Sequence, residues 1–264
     1  MKPVPLSEKS IQSGLDRYKN VFTFHIYPSV ASTNDTARDM AAAGQAEGAV
    51  VLAERQTRGR GRQGRPFFSP EGTGIYMSLL LRPDPEQSRP ELLTTAAAVA
   101  VAKAIEEVTG KQAGIKWVND VFIDGKKVCG ILTEGAFDGR AGKLAYAVVG
   151  IGVNVRPPEN GFPGELAETA AGLSDGGDGD VRGRLIGKIL ENYWGYYKAL
   201  PEKAFYADYK ERSILTGKPV TFQSGQETGQ GMALDIDPDF ALIVRDEKGH
   251  IRRLISGEAR AKLA

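Results

Sequence analysis

Residues 56–65 read QTRGRGRQGR, and residues 66–70 continue as PFFSP. Four arginines are interspersed there with three glycines, a composition that cannot bury a hydrophobic core. Guanidinium groups form bidentate contacts with carboxylate and phosphate oxygens. Glycines let the backbone approach a ligand closely and adopt positive φ. The stretch therefore predicts a loop that binds an anion and becomes ordered when the anion arrives.

The rest of the composition is that of an ordinary globular chain. The 264 residues are 41% hydrophobic and 25% charged, with a formal net charge of +1. These values suit one large domain, or one domain with a small module. A net charge so close to zero gives no overall attraction to nucleic acid. The basic loop is therefore a local feature.

Cysteine, histidine and apolar runs restrict the compartment and the chemistry. Cys129 is the only cysteine, which excludes an internal disulfide and suits a reducing compartment. We found neither an apolar run of about 20 residues nor a signal peptide, so we expect a cytoplasmic protein without membrane contact. His25 and His250 are the only histidines, so a His-rich or Cys-rich metal site is not expected. Arginine, lysine and carboxylates remain as the candidate reactive groups.

Hydrophobic periodicity predicts an α+β fold with two domains, 1–214 and 215–264. Before the boundary we predict helices at 7–20, 32–43, 92–108, 181–200 and 202–212, and strands at 21–28, 48–56, 74–81, 115–122, 127–135 and 144–155. Residues 172–180, GLSDGGDGD, are linker by composition. After Gly217, short strands at 220–222, 232–236, 241–244 and 251–255 indicate a small barrel.

Residues 116–120, KWVND, are the second informative stretch. If they form a single strand, Lys116, Val118 and Asp120 share one face. The next predicted strand adds Lys127, and a hairpin places its two arms side by side. Lys116, Asp120 and Lys127 would then converge on one site. An edge strand with alternating solvent contacts is the other interpretation.

Two apparent motifs are set aside, and two interpretations of the loop stay open. The GxGxxG of residues 59–64 lacks the following helix of a dinucleotide site, because Pro66 and Pro70 stand there. The GxSxG of residues 172–176 lies in a linker and not on a strand-to-helix turn. The basic loop could still be a solvated surface without a role, or an Arg/Gly segment that binds RNA.

Taken together, these pieces resemble the biotin–protein ligase family. The resemblance extends from about residue 7 to the C-terminus. It implies a mixed-sheet catalytic domain with helices on one side, similar to class II synthetases, followed by an SH3-like barrel. The matching stretches, in the order of the family, are Ser32-Thr33-Asn34, Gln56 with GRGRQGR at 59–65, KWVND at 116–120, KKVCGIL at 126–132 and GIGVNV at 150–155.

The resemblance also implies which residues form the site. Arg62 and Lys127 match positions near the biotin carboxylate and the activated phosphate, and are the implied catalytic residues. Two positions depart from the family pattern: Val118 replaces the usual proline, and Phe67 replaces a common tryptophan. The implied biotin-binding residues are Ser32, Thr33, Asn34, Gln56, Arg60, Gly61, Arg62, Lys127 and Gly130. The implied ATP-binding residues are Arg62, Phe67, Lys116, Asn119, Asp120 and Asn154.

The implied activity is ATP-dependent ligation of biotin. Biotin would be activated as biotinyl-5'-AMP and transferred to a lysine of the biotin carboxyl carrier protein or domain of a biotin-dependent carboxylase. Mg²⁺ is expected mainly through the ATP phosphates. About twenty residues precede the first predicted strand, too few for a helix-turn-helix reader, so no DNA partner is expected. A homodimer stays open.

Two other functions remain as alternatives. A lipoate–protein ligase-like enzyme is the nearest one, although the Arg-Arg…Gly-Gly-Gly…His-Asp pattern of that family is not found. The other is an RNA-binding module that uses the Arg/Gly loop; steep salt dependence of RNA binding without ATP turnover would favour it.

Overall fold

The computed structural model describes residues 4–138, 143–174 and 180–261. Residues 175–179 of the predicted linker and the outermost residues of both predicted domains lie outside these ranges. The helices are α1 (Glu8–Gln12), α2 (Thr33–Ala42), α3 (Pro90–Thr109), α4 (Leu166–Thr169), α5 (Val181–Lys198) and α6 (Tyr206–Glu211). The strands are β1 (Thr23–Val30), β2 (Ala49–Gln56), β3 (Gly74–Leu81), β4 (Gly114–Lys116), β5 (Asp120–Ile123), β6 (Lys126–Asp138), β7 (Lys143–Asn154), β8 (Pro219–Ser224), β9 (Glu227–Ile236), β10 (Leu242–Asp246), β11 (Ile251–Leu254) and β12 (Glu258–Ala261).

The first seven strands form one mixed sheet in the order β1-β2-β3-β7-β6-β5-β4. β1 and β2 run parallel and are connected through α2, while the other neighbours are antiparallel. In the centre, β3 pairs with β7 from Gly74–Asn154 to Leu81–Ala147. This confirms the predicted α+β class with a mixed sheet.

The two faces of this sheet are covered differently. Alternate apolar residues of β2, β3 and β7 pack on one face against α3 and α5, in the main hydrophobic core. Val51, Leu80 and Val148 point to the opposite face and pack against Ala37 and Ala41 of α2. The expectation of helices on one side therefore holds for α3 and α5 but not for α2. The reason is that these strands carry apolar residues on both faces.

The predicted helix at 7–20 is wrong beyond Gln12. The chain turns at Gly14, where an added Cβ would lie 2.4 Å from the carbonyl oxygen of Arg184 in α5. After the turn, the Glu191 carboxylate accepts the backbone N–H groups of residues 16, 17 and 18. A buried carboxylate therefore satisfies the donors that a longer helix would have paired internally.

The predicted single strand at 115–122 is also wrong. β4 ends at Lys116 and β5 begins at Asp120, and the two strands pair antiparallel with Lys116 opposite Asp120. The chain reverses across residues 117–119, where the Trp117–Val118 peptide bond is cis. Val118 therefore does not share a strand face with Lys116 and Asp120, although those two residues do become neighbours.

The remaining strands form a separate antiparallel sheet in the order β11-β10-β9-β8-β12. β12 was not predicted, because its sequence EARA lacks the β-branched residues that usually indicate a strand. This C-terminal sheet packs on the preceding part of the chain. The Phe240 ring stacks on Phe205 at 5.0 Å, and the Trp117 indole N–H donates to the Phe240 carbonyl at 2.9 Å. In the described ranges, no helix is both long and apolar enough to cross a membrane.

Candidate active site

The arginine loop, residues 57–66, folds back as a narrow hairpin that continues β2. The Gly61 N–H donates to the Arg65 carbonyl at 2.7 Å, and the Phe67 N–H donates to the Gly59 carbonyl at 2.9 Å. Gln63, with φ 57°, makes the reversal. A stretch whose composition predicts only a loop therefore has a hydrogen-bonded backbone, which directs Arg60 and Arg62 towards the uncovered part of the sheet.

Three glycines, Gly130, Gly150 and Gly152, form the floor of the site and are called the glycine floor below. Gly130 of β6 lies opposite Gly152 of β7. The Phe67 ring covers this pair so closely that a Cβ on Gly152 would lie 2.6 Å from a ring carbon. A Cβ on Gly150 would lie 2.1 Å from Oδ1 of Asn34. The absence of side chains here lets Phe67 and Asn34 lie directly on the sheet.

One end of the floor carries the neutral cluster: Thr33, Asn34, Gln56, Ser69 and Ser78. The Gln56 side chain accepts the Thr33 N–H at 2.9 Å and donates to the Ser69 hydroxyl at 2.9 Å. The Ser78 hydroxyl lies 2.6 Å from Oδ1 of Asn34 and 2.8 Å from the Thr33 hydroxyl. Gln56 is half-buried, and the other four side chains are buried. Each amide is therefore fixed in orientation before a ligand arrives.

The other end carries the charged cluster: Arg62, Asn119, Asp120 and Lys127. Arg62 donates to the Asn119 side-chain oxygen at 2.8 Å, and the Lys127 ammonium lies 2.6 Å from the Asp120 carboxylate. The Asn119 amide donates in turn to the Ile131 carbonyl at 2.9 Å. The predicted convergence of Asp120 and Lys127 is thus observed.

Lys116 borders the charged cluster. Its ammonium lies 5.7 Å from the centre of the Phe122 ring, within cation–π range. Burial lowers the pKa of Lys116, and the neighbouring Asp120 carboxylate opposes this effect. The side chain is therefore a cation held close to apolar surface, which strengthens its attraction for any anion that arrives.

Arg60 differs from Arg62 because two carboxylates already neutralise it. Its guanidinium lies 2.8 Å from Asp35 of α2 and 2.7 Å from Glu134 of β6. Glu134 also accepts the Asn34 amide N–H at 2.8 Å. Arg60 therefore connects the arginine loop to the neutral cluster and does not present a free positive charge.

Most of the predicted site residues lie on this one face. Ser32 is buried at the N-cap of α2, and Asn154 ends β7 on the same face as Gly150 and Gly152, by strand alternation. Sequence reasoning missed Ser69, Ser78 and Glu134. Ser78 had a visible signal, since it is the only polar side chain in the strand GIYMSLLL apart from Tyr76. Cys129, interpreted as a core residue, is buried.

The arrangement suits one ligand with a neutral polar end and an anionic end, next to a second anion. The neutral cluster offers fixed hydroxyl and amide groups, while Arg62, Lys127 and Lys116 offer positive charge. Across the described ranges, no group of three or more His, Cys, Asp or Glu side chains is arranged to hold a metal ion. The side-chain charges of this site could offset the repulsion between two anions.

Known proteins resemble this chain along most of its length. Two family models match it: "Biotin/lipoate A/B protein ligase family" over residues 26–154, and "Biotin protein ligase C terminal domain" over residues 215–259. The bifunctional ligase/repressor BirA of Bacillus subtilis is 39% identical, over 97% of this chain and 79% of its own length. The biotin–[acetyl-CoA-carboxylase] ligase of Mycobacterium tuberculosis is 30% identical, over 88% of this chain and 87% of its own.

A solved structure agrees with these matches. The biotin protein ligase from Aquifex aeolicus, in complex with biotin and ATP, superposes with a TM-score of 0.75 at 27% sequence identity. The superposition covers 91% of this chain and 99% of that one. The likeness therefore extends over most of the chain.

Proposed function

The chain belongs to the biotin/lipoate A/B protein ligase family, and from this premise we infer that it is an ATP-dependent biotin–protein ligase. It activates biotin as biotinyl-5'-AMP and transfers the biotinyl group to a lysine of a carboxyl carrier protein. The observation that carries this function is the placement of a neutral and a charged cluster at the two ends of one glycine floor.

The neutral cluster is our proposed site for the ring end of biotin. The fused ring system of biotin is uncharged and carries one carbonyl and two N–H groups, so it needs both donors and acceptors. Buried hydroxyls and amides of fixed orientation supply them without the desolvation cost of a charge. We assign Ser32, Thr33, Asn34 and Gln56 to this role, with Gly130, which lies under the Phe67 ring, beside the ligand and with Arg60 and Gly61 at its edge.

The charged cluster is our proposed site for adenylation. A biotin carboxylate oxygen attacks the α-phosphorus of ATP, a P–O bond forms, and pyrophosphate leaves with the electron pair of the broken P–O bond. Arg62 and Lys127 offset the repulsion between carboxylate and triphosphate. Positive charge aimed at the developing oxyanions contributes about 3–4 kcal/mol per well-placed donor.

The nucleotide itself is proposed to lie beyond the charged cluster. Phe67 supplies an aromatic wall, while Lys116, Asn119, Asp120 and Asn154 supply polar contacts. Mg²⁺ fits this donor set only as an ion carried by the ATP phosphates, because Asp120 is the one carboxylate of the cluster and is already paired with Lys127. Bound there, it would neutralise phosphate charge.

The second step transfers the biotinyl group. The amine of the acceptor lysine attacks the carbonyl carbon of the mixed anhydride, an amide bond forms, and AMP leaves. The anhydride must be kept from water until then. Phe67, directly after the arginine loop, covers the floor, and we propose that ligand binding tightens the loop further. Slower amide exchange in residues 57–66 with biotin bound is the expected sign; equal exchange in both states contradicts the covering role.

We assign the catalytic part to residues 1–214 and propose that residues 215–264 support it. Biotin-dependent exchange of labelled pyrophosphate into ATP tests the function, with lipoate as the control acid. Exchange with biotin and none with lipoate is expected. Exchange with lipoate alone would identify a lipoate ligase. Absence of exchange, together with salt-sensitive RNA binding, would identify the RNA-binding alternative.

A further inference from the structure

The turn at residues 117–119, which joins β4 to β5, is held from two sides by groups outside the site. On one side the Trp117 indole N–H donates to the Phe240 carbonyl at 2.9 Å. On the other side the Tyr209 hydroxyl of α6 donates to the Val118 carbonyl at 3.1 Å. Both bonds are buried. The residue that follows, Asn119, is the one that accepts from Arg62.

Tyr209 is suited to a permanent donor role. Its side chain is 1% exposed, and burial raises the pKa of the phenol, so the hydroxyl keeps its proton at any physiological pH. The Tyr209 hydroxyl also lies within electrostatic range of Arg62 and Asp120. Its ring also meets Phe240 edge-on, with 5.3 Å between centroids. Tyr209 thus contacts the turn, the C-terminal sheet and the surroundings of the charged cluster.

We propose that Tyr209 is a positioning residue for ATP: through Val118 it fixes the 117–119 turn, and thereby holds Asn119 and Asp120 in place against Arg62 and Lys127. This deepens the proposed function and rests on it. A hydrogen bond to a backbone carbonyl restrains the turn directly, on the side opposite to the bond between the Asn119 amide and the Ile131 carbonyl. Without that bond the Val118 carbonyl is buried and unpaired, and the turn relaxes towards another partner.

The effect should be confined to the nucleotide end. The neutral cluster is carried by α2, β2, β3 and the segment after the arginine loop. None of its hydrogen bonds in the described ranges involves α6 or the 117–119 turn. A Tyr209 variant therefore separates ATP binding from biotin binding, which a general loss of stability does not do.

The test compares Tyr209→Phe with Tyr193→Phe. Both remove one hydroxyl from a buried tyrosine, but the Tyr193 hydroxyl has no hydrogen-bond partner among the residues that the structure describes. In pyrophosphate exchange we expect Tyr209→Phe to raise the KM for ATP about tenfold, with the KM for biotin within about twofold of wild type. Tyr193→Phe should leave both constants unchanged.

The proposal is overturned if Tyr209→Phe leaves the KM for ATP within about twofold of wild type, or raises both constants equally. If Tyr209→Phe does not fold, Trp117→Phe removes the opposite support of the same turn and is judged by the same two criteria. A wild-type protein that catalyses no biotin-dependent exchange defeats the proposed function itself. Wild-type exchange with an unaffected Tyr209→Phe defeats only the positioning role.

Discussion

The two ends of the glycine floor are built on opposite principles. The neutral cluster is a set of short hydrogen bonds among mostly buried side chains, borne by α2, two central strands and the segment after the arginine loop. The charged cluster is half-buried and comes from a loop and an edge hairpin, with Lys127 and Asp120 34% and 18% exposed. One end is fixed before any ligand binds, while the other is held by ion pairs that water can reach.

This difference corresponds to the two chemical tasks. Recognition of an uncharged ring system depends on orientation, which buried neutral groups keep without a charge desolvation penalty. Joining two anions depends on positive charge, and Lys127 must be released from its partner Asp120 when the phosphates enter. Substitutions at the two ends should therefore affect different constants.

The largest effect is expected at the charged end. Arg62→Ala should lower the rate of biotin-dependent pyrophosphate exchange about 100- to 1000-fold, because it removes one fixed donor from the reacting oxyanions. The free energy of unfolding should change by less than about 1 kcal/mol, since a half-buried side chain loses one hydrogen bond. Arg58→Ala is the matched control, because Arg58 is exposed in the same loop. Near-normal exchange by Arg62→Ala would remove Arg62 from the reaction.

The next effect should disturb both ends at once. Gly152→Ala places a Cβ 2.6 Å from the Phe67 ring, so the ring must move or the strands must separate. We expect a loss of about 2 kcal/mol in the free energy of unfolding and higher KM values for both biotin and ATP. Gly195→Ala is the control, since its Cβ meets only the Tyr18 hydroxyl at 3.7 Å and favours the helix α5. Unchanged values for both KM constants would mean that the floor does not lie under the ligands.

A smaller effect is expected at the neutral end. Ser78→Ala leaves Asn34 and Thr33 without their shared buried partner. Biotin should bind about tenfold more weakly in calorimetry, and the KM for ATP should stay within about twofold of wild type. Ser88→Ala, which removes a hydroxyl that donates to the Asp84 carbonyl outside the neutral cluster, is the control. Equal weakening of both ligands would show that the two ends are not independent.

The smallest effect concerns the link between the arginine loop and the C-terminal sheet. Arg65 forms an ion pair with Glu258 at 2.6 Å, and Glu258→Gln should cost less than about 1 kcal/mol because Arg65 is 53% exposed. Burial alone would raise the pKa of Glu258, but the hydrogen bond from Arg65 makes the net shift downward. A lowered folded pKa contributes stability above the unfolded value near 4.5, and this contribution is lost as the pH falls through the folded value.

The pH dependence of the free energy of unfolding shows whether the Arg65–Glu258 ion pair stabilises the protein. In urea unfolding, the difference between wild type and Glu258→Gln should be largest near neutral pH, shrink below about pH 4.5, and be smaller in high salt. Glu227→Gln is the comparison, because the Glu227 side chain, paired with Arg252, is 53% exposed against 21% for Glu258. A difference that grows with acid would mean that Glu258 is destabilised by its surroundings.

Much of the fold follows from periodicity, and two of its errors share one cause. Strands β2, β3, β6 and β7 and helix α3 were predicted because each carries a continuous local pattern. The helix at 7–20 and the strand at 115–122 failed because distant groups decide both places: the Glu191 carboxylate, and the packing of the 117–119 turn on Tyr209 and Phe240. Local propensity does not contain such long-range partners.

The site residues also fall into those that the sequence predicted and those that depend on long-range contacts. Arg62, Lys127 and the KWVND residues are visible in the sequence because charged residues stand out in glycine-rich or apolar surroundings. Ser78 and Glu134 act through side chains far away in the chain, so their roles appear only once β3 and β6 lie beside α2. The pairing of Arg60 with two carboxylates was likewise invisible, and it changes Arg60 from a free cation into a structural link.

Phe240 has a consequence for exchanging parts between related enzymes. It lies between β9 and β10 of the C-terminal sheet, yet its ring stacks on Phe205 and its carbonyl accepts the Trp117 indole N–H. The C-terminal sheet therefore cannot be exchanged as an independent unit, even though a predicted domain boundary precedes it. A chimaera joined near residue 215 would need an aromatic ring and a backbone carbonyl in the positions of those of Phe240. Without them, the 117–119 turn of the recipient would lose the contacts that support it.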